Sequence, residues 1–368
     1  MQSIWLDHRS VTARCGRHEA FWNGELDRGP LLWITVPGAK PGVPPREPAS
    51  EDALWTDVEY VLAQGEYDLG HTYYAGDALP VFHPWLGPDQ FAAWLGADMQ
   101  LKPRDNTSWV RPFVKNAGAY PPFRLDPSNS WWRLYLDLVR GAVERGRDKW
   151  ITAYPDLHTG IDALAALRGP EQLMFDMLES PEAIHQAMAQ LTQLWIEIVD
   201  LVSDLVLPTG QGTSNWTTGY SSQRFLCIGQ NDFSCLISPQ MFADFCLDDT
   251  IQCTNHADRT IYHLDGPGAL KHLARILEIE RLHCIQWIQG AGKPLPSQWL
   301  GLLERIQTAG KSVQLFYAGA HGGDADFQQE LDILCKALDP RRLFMVIEAH
   351  SVAEADLLVR SAERKIYQ

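Results

Sequence analysis

From about residue 145 to the C-terminus, the chain repeats one pattern: a short apolar run, a loop containing Gly or Asp, and an amphipathic stretch. This order is typical of strands that alternate with helices. The apolar runs lack polar alternation, as expected for parallel strands that are covered on both faces. The predicted strands are KWITAY (149–154), RFLCIGQ (224–230), RTIYHL (259–264), LHCIQWI (282–288), SVQLFY (312–317) and LFMVIE (343–348).

Strictly repeated strand–helix units favour either a closed barrel or an open doubly wound sheet. No GxGxxG or GKS/GKT loop follows any of the strands, which disfavours a nucleotide-binding doubly wound fold. We therefore predict a (β/α)8 TIM-type barrel that comprises residues 1–368 as one domain. Residues 1–145 are less regular, and LLWITVP (31–37) is predicted as the first barrel strand. The rest of that segment is predicted as an extension or insertion over the C-terminal mouth, with a separate N-terminal domain as the alternative.

Charge and composition exclude several functional classes. The formal net charge is −15, and no basic cluster interrupts it, so nucleic acid, anionic membranes and polyanionic substrates are disfavoured. No apolar run reaches the roughly 20 residues that cross a bilayer, and the N-terminus lacks a secretory pattern, so we expect a cytoplasmic protein. The seven cysteines contain no CxxC pair, which favours buried thiols over disulfides or a zinc ribbon.

Polar side chains stand at the ends of several predicted strands, where the active sites of barrels are built. His263 and Asp265 are two residues apart at one strand end, so they share a face. Glu348 and His350 have the same spacing at the last strand end, and Asp232 follows the strand that begins at residue 224. Candidate substrate-binding residues at or after strand ends are Tyr154, Asn231, Gln286, Trp287 and, in a Gly-rich loop, His321.

Two imidazoles and up to three carboxylates at one rim could bind a single metal ion or perform acid and base catalysis. Each residue also has a simpler explanation, because a His at a strand end often bonds a carbonyl and an Asp before Gly-Pro is common in turns. Fourteen tryptophans are present, several of them in loops such as SNWTTGY. Aromatic rings in loops can wall a ligand pocket, although they more often pack a loop onto the protein body.

Three segments carry a resemblance to a known family: RHEAFWNGELDRGPLLWITVP, NDFSCLISPQMFADF and LFMVIEAHSVAEADLLV. In their order and spacing they resemble the uroporphyrinogen decarboxylase superfamily, which includes the cobalamin-dependent methyltransferases. The resemblance extends over nearly the whole chain. It implies a (β/α)8 barrel with its site at the C-terminal mouth, and a homodimer, because members often dimerise.

Departures from the family pattern restrict which of the family's reactions we expect. The decarboxylase has an arginine-rich loop after its first strand, whereas this chain reads TVPGAKPGVPP there, so decarboxylation of a porphyrinogen is disfavoured. The methyltransferase branch binds zinc through a His-x-Cys strand end and a later Cys. The resemblance therefore implies metal ligands at His263, Asp265 and His350, with carboxylate and imidazole in place of thiolates. That set suits zinc or a harder divalent ion.

The resemblance thus implies metal-assisted methyl transfer to or from a small substrate. Methylcobalamin would come from a separate corrinoid protein, because the chain shows no corrinoid-binding domain of its own. If the metal has been lost, Asp232, Asp265 and Glu348 remain as candidate catalytic groups for proton transfer. The alternatives are a lyase or hydrolase of a small polyhydroxylated compound and a non-catalytic ligand-binding barrel.

Overall fold

A computed structural model describes residues 8–116, 118–158, 160–318 and 325–365. Within these ranges, each predicted apolar run contains a strand. The strands are β1 (Leu31–Val36), β2 (Tyr73–Gly76), β3 (Val81–Phe82), β4 (Asp98–Lys102), β5 (Thr107–Arg111), β6 (Ile151–Thr152), β7 (Phe225–Ile228), β8 (Arg259–Asp265), β9 (Cys284–Ile288), β10 (Ser312–Tyr317) and β11 (Leu343–Glu348).

Helices separate most of these strands. They are α1 (His8–Asn23), α2 (Ala53–Thr56), α3 (Val58–His71), α4 (Gln90–Trp94), α5 (Ser130–Arg145), α6 (Gly160–Arg168), α7 (Pro170–Glu179), α8 (Pro181–Val206), α9 (Pro239–Phe245), α10 (Leu247–His256), α11 (Gly266–Ala269), α12 (Leu273–Leu277), α13 (Leu300–Thr308), α14 (Phe327–Ala337) and α15 (Val352–Lys365). Among the described helices, none is long and apolar enough to span a membrane.

The fold is mixed α/β with a mostly parallel central sheet. Seven strands pair in the order β2-β1-β11-β10-β9-β8-β7, and only β2 runs antiparallel to its neighbour. β3 pairs in parallel with β6, and β4 and β5 form an antiparallel pair. In the part of the chain that is described, the backbone ladders leave β2 and β7 at the sheet edges, so they do not by themselves close a barrel.

Parallel register places three polar residues side by side. His263 of β8 is aligned with Gln286 of β9, and Gln286 is aligned with Gln314 of β10. Because side chains alternate along a strand, these three share one face of the sheet. Their neighbours in the chain, such as Leu264 and Trp287, face the other side.

Both faces of the sheet are covered, which explains the unbroken apolar runs. One face, together with α1, forms an inner cluster of buried side chains: Phe21, Trp22, Leu26, Leu31, Trp33, Tyr74, Ala78, Leu79, Ile151, Tyr220, Phe225, Cys227, Ile261, Cys284, Phe344 and Val346. The other face packs against the surrounding helices and includes Ile34, Leu264, Trp287, Leu315 and Ile347. Buried residues of the N-terminal half, such as Trp94 and Trp132, belong to this second core.

Candidate metal centre

Asp232, His263 and Asp265 converge at one edge of the sheet. Each offers one ligand atom, and these atoms all lie within 4.8 Å of one another. His263 and Asp265 come from the end of β8, and Asp232 begins the short 3-10 helix Asp232–Leu236 that follows β7. The two strands are parallel neighbours, so their carboxyl ends meet at the same edge. Two carboxylates and one imidazole are a suitable donor set for a divalent cation.

The turn after β7 directs Asp232 toward β8. Gly229 has a positive φ of 74°, and a Cβ atom there would lie 2.1 Å from the ring of Tyr262. Only glycine fits such a position without strain. The Asp162 carboxylate of α6 then accepts hydrogen bonds from the backbone N–H groups of Asp232 and Phe233, both at 2.8 Å. The backbone conformation of this turn therefore sets the location of the Asp232 carboxylate.

Electrostatics at this position favour a bound positive charge. The surrounding protein raises the pKa of Asp232, and the nearby Asp265 carboxylate raises it further, whereas His263 opposes the shift. Asp232 is nevertheless exposed to solvent, so an ion can reach its carboxylate. Two carboxylates held together disfavour each other's ionised forms, and a divalent cation removes that cost.

His263 is held on two sides. Its Nδ1 atom lies 2.6 Å from Oε1 of Gln286, and its ring meets the Trp216 ring edge-on, with centroids 4.9 Å apart and planes at 71°. A ring nitrogen that bonds a second side chain is the usual arrangement of a metal-binding histidine. The imidazole therefore has a defined orientation in the absence of any ion.

Two further residues belong to the surroundings of this centre. Tyr154 is the predicted residue at the end of KWITAY, but Asp156, two residues later, is the group whose pKa the Asp232 charge raises. Asp156 is 4% exposed, and one of its carboxyl oxygens has no hydrogen-bond partner in the described part of the chain. The pKa of Asp156 is raised to about 8, chiefly by burial and also by the charges of Asp232 and Asp89, while the Gln230 amide opposes the shift.

His158 also lies near the centre, although no strand-end pattern indicated it. Burial and, to a smaller extent, the neighbouring His263 lower the pKa of His158 to about 4, so its imidazole is neutral at physiological pH. Its position in the loop after β6 is the one sequence feature that could have indicated a site residue. Asp162 lies in a helix, and no sequence feature indicated that it supports the site.

The structure does not bring the predicted ligand His350 to His263 and Asp265; Asp232 occupies that place in the cluster instead. His350 is exposed and stacks on Phe327, with ring centroids 5.3 Å apart. It follows β11, which is separated from β8 by β10 and β9. Glu348, at the end of the same strand, is likewise exposed and lies beside Thr35 of β1 in register. Neither residue belongs to the donor cluster.

Tyr154 and Trp287, predicted as substrate-binding residues, lie in the interior. The Tyr154 hydroxyl is 2.7 Å from Oγ of Ser203 on α8, and Trp287 is fully buried against Trp299 on the helix-covered face. Strand alternation explains the interior position of Trp287, because its neighbour Gln286 takes the site-facing position.

The other predicted binding residues have mixed outcomes. Gln286 contacts His263. Asn231 is buried and donates from Nδ2 to the hydroxyls of Thr250 and Tyr262, at 3.2 and 3.4 Å. The predicted residue His321 lies outside the described residues.

Two cavities flank the cluster. A cleft of about 390 Å³ is bordered by Asp232, Asp162 and His158, with Val110 and Leu236 among its apolar walls. A smaller cavity of about 240 Å³ is lined by aromatic and polar side chains that include Trp33, Thr35, Tyr74, His83 and Trp216. Trp216, which lines the second cavity, also contacts the His263 ring. The larger cleft gives a small molecule access to Asp232.

No protein-family model matches the chain, and no curated protein matches it. Among solved structures, it is similar to a methyltransferase from Methanosarcina mazei, with a TM-score of 0.61 and 14% sequence identity. The match covers 96% of this chain and 99% of that chain. At this identity, the similarity shows that the two proteins share a fold over nearly their full lengths.

Proposed function

We propose that this chain is a divalent-metal-assisted enzyme that transfers a methyl group between a corrinoid carried by a partner protein and a small substrate. The observation that carries the proposal is the convergence of Asp232, His263 and Asp265 within 4.8 Å at the carboxyl edge of parallel strands. The shared fold with a methyltransferase supports the reaction class. The family resemblance described above supports the corrinoid partner.

We also infer that the strands form a closed (β/α)8 barrel. The inner cluster draws on β1, β2, β6, β7, β8, β9 and β11, with Val81 of β3 and Phe316 of β10 packed against it. If the antiparallel edge strand β2 is left out, eight strands contribute to one core. Segment 213–215 bridges the gap between β6 and β7: the Tyr154 N–H donates to the Ser214 carbonyl at 2.8 Å, and Asn215 Nδ2 donates to the Phe225 carbonyl at 3.3 Å. A side-chain layer shared by all strands is typical of this barrel.

The residues present fit a borderline or hard divalent cation such as zinc. The donors are two carboxylates and an imidazole, and the cluster contains no cysteine among the described residues. Cys235 is exposed and lies three residues after Asp232 in the sequence. Burial and the Asp232 carboxylate raise the pKa of its thiol, which disfavours the thiolate that a metal binds. A cation held here would act as a Lewis acid that lowers the pKa of a coordinated substrate group.

The chain's own residues supply the rest of the site. His263 and the two carboxylates would hold the ion, and the cleft beside Asp232 would receive the substrate. Asp156, neutral at physiological pH because its pKa is about 8, can donate a proton or hydrogen bond close to Asp232. Val110, on β5, lines that cleft, as expected if the N-terminal half partly covers the barrel mouth.

A metal-independent lyase or hydrolase is the second candidate function. It is favoured by the contrast between Asp156, whose pKa burial raises to about 8, and the more exposed Asp232 beside it. Two neighbouring carboxyl groups in environments of different exposure can serve as acid and base. This alternative predicts turnover that survives a strong chelator but is lost in Asp156→Asn.

The test is demethylation of methylcobalamin, followed by its visible absorption, with zinc-loaded protein and a panel of small thiols, amines and alcohols. We expect activity with at least one acceptor, at least a 100-fold loss in His263→Ala, and near-normal activity in His350→Ala. The second variant is a matched control, because His350 also follows a strand end but lies outside the donor cluster. Equal loss in both variants, or full activity in His263→Ala, would contradict the proposal.

A further inference from the structure

The half-buried His263 and two buried glutamines form a continuous hydrogen-bonded row that begins in the cluster. Nδ1 of His263 lies 2.6 Å from Oε1 of Gln286, Nε2 of Gln286 donates to Oε1 of Gln314 at 2.7 Å, and Nε2 of Gln314 donates to the carbonyls of Thr217 and Thr218 at 2.9 and 3.2 Å. Gln286 and Gln314 are 1% and 0% exposed, so water does not replace these bonds. The row follows directly from the aligned positions of the residues on β8, β9 and β10.

The contacts of Gln314 at the far end of the row determine the orientation of both side-chain amides. A backbone carbonyl can only accept, so Gln314 must turn its NH₂ group toward Thr217 and Thr218. Its amide oxygen then faces Gln286, whose NH₂ group must point back at it. The Gln286 oxygen is left facing His263, and an oxygen acceptor requires a proton on Nδ1. Reversing either amide would place two acceptors or two donors against each other in a buried site, at a cost of about 1–3 kcal/mol.

The carbonyls that anchor the row belong to a tightly constrained turn. Both the N–H and the hydroxyl of Thr217 donate to Oδ1 of Asn215, at 2.9 and 2.7 Å. Thr218 has a φ of +75°, a left-handed conformation that is unusual for a β-branched residue and persists only where the surroundings enforce it. Trp216 of the same turn contacts the His263 ring. The SNWTTG segment therefore holds the imidazole directly and also through the two glutamines.

We propose that Gln286 and Gln314 are positioning residues that hold His263 in its Nδ1-protonated tautomer and leave the Nε2 lone pair for the cation. The positioning role rests on the proposed metal centre, but the tautomer itself is a property of the metal-free protein. The tautomer assignment and the metal centre can therefore fail independently. A neutral imidazole binds a metal through its unprotonated nitrogen, so the tautomer decides which nitrogen is available.

The first test is ¹⁵N-detected NMR of the histidine side chains in metal-free protein at a pH where His263 is neutral, with its signals assigned by their loss in His263→Ala. We expect wild-type His263 to carry its proton on Nδ1. Gln314→Leu removes the group that orients Gln286, so a mixture of tautomers should appear. Observation of the Nε2-protonated form in the wild type would overturn the inference without any variant.

The matched control is Gln211→Leu. The Gln211 amide also donates to two backbone carbonyls, those of Gly146 and Trp150, and these bonds are separate from the row through Gln286 and Gln314. We expect this variant to keep the wild-type tautomer. If Gln314→Leu does not fold, as judged by circular dichroism, Gln286→Met provides the same test from the middle of the row.

The second test is zinc affinity, measured by competition with a chromophoric chelator. Loss of an outer partner of a metal-binding histidine typically costs 10- to 100-fold in affinity, and we expect a loss of about that size in Gln314→Leu and under about threefold in Gln211→Leu. A changed tautomer with unchanged affinity would overturn the positioning role. Wild-type protein with the Nδ1 tautomer but no zinc binding would overturn the proposed metal centre and leave the tautomer assignment intact.

Discussion

Oδ2 of Asp162 accepts a hydrogen bond from the backbone N–H of Asp232 at 2.8 Å, and Oδ1 of the same carboxylate accepts one from the next residue, Phe233. One buried side chain on α6 thus fixes the turn that carries a proposed ligand. A carboxylate can accept both bonds at once, whereas an asparagine offers only one acceptor oxygen.

Asp162→Asn should therefore loosen the turn at Asp232. We expect a roughly tenfold loss of divalent-cation affinity, on the order of 1–2 kcal/mol for one disrupted buried hydrogen bond. Isothermal titration with zinc measures the loss.

Asp77→Asn provides the control. Asp77 is also buried and accepts a backbone N–H, that of Leu32 on β1, but it directly follows β2 and also pairs with Arg17. We expect this variant to be less stable while retaining its cation affinity. Equal affinity of Asp162→Asn and the wild type would show that Asp162 does not position Asp232.

Gly229→Ala should distort the same turn from the other side. An alanine at φ +74° is strained, and its Cβ would collide with the buried Tyr262 ring. We expect a loss in unfolding free energy of about 3 kcal/mol, the sum of the left-handed cost and overpacking. Gly210→Ala, at φ +69° with no atom within 4 Å of the new Cβ, should lose only about 1 kcal/mol. Chemical denaturation of both variants makes the comparison, and similar losses would show that the Tyr262 contact carries no cost.

Asp156→Asn should stabilise the protein at alkaline pH. Because burial raises the pKa of Asp156 to about 8, the folded state holds a proton that the unfolded state releases above its ordinary pKa near 4. Stability therefore falls as the pH rises from about 4 to about 8. An asparagine cannot ionise, so the variant avoids this loss, by at most about 6 kcal/mol above pH 8.

The measurement is urea denaturation of both proteins across pH 5–9. Asp126→Asn serves as the control with the opposite sign, because the N–H and hydroxyl of Ser128 lower the pKa of that exposed carboxyl. Relative to the wild type, Asp126→Asn should not gain stability as the pH rises. A difference between Asp156→Asn and the wild type that stays constant with pH would contradict the buried, neutral acid.

The sequence predicted the strands well because both faces of the sheet are covered, so that each strand appears as an uninterrupted apolar run. It also predicted that His263 and Asp265 share a face, since strand alternation is a local property. Which other strand end lies beside them depends on sheet order and on turn geometry. That is why Asp232 joins the cluster and His350 does not.

The interior positions of Tyr154 and Trp287 likewise depend on geometry that the sequence does not display. Both stand near strand ends, but a shift of one or two residues decides whether a side chain faces the site or the helices. The supporting residue Asp162 could not be found from local patterns, because its hydrogen bonds join residues about 70 positions apart. The row through Gln286 and Gln314 depends on the register of three strands, which the sequence does not display.

Equilibrium binding of zinc to purified, metal-free protein is the most direct test of the Asp232–His263–Asp265 centre. We predict one ion per chain for the wild type, at least a 100-fold weaker affinity in His263→Ala and in Asp265→Asn, and unchanged affinity in His350→Ala. Absence of stoichiometric binding by the wild type, or binding that survives His263→Ala and is lost in His350→Ala, would contradict the metal centre.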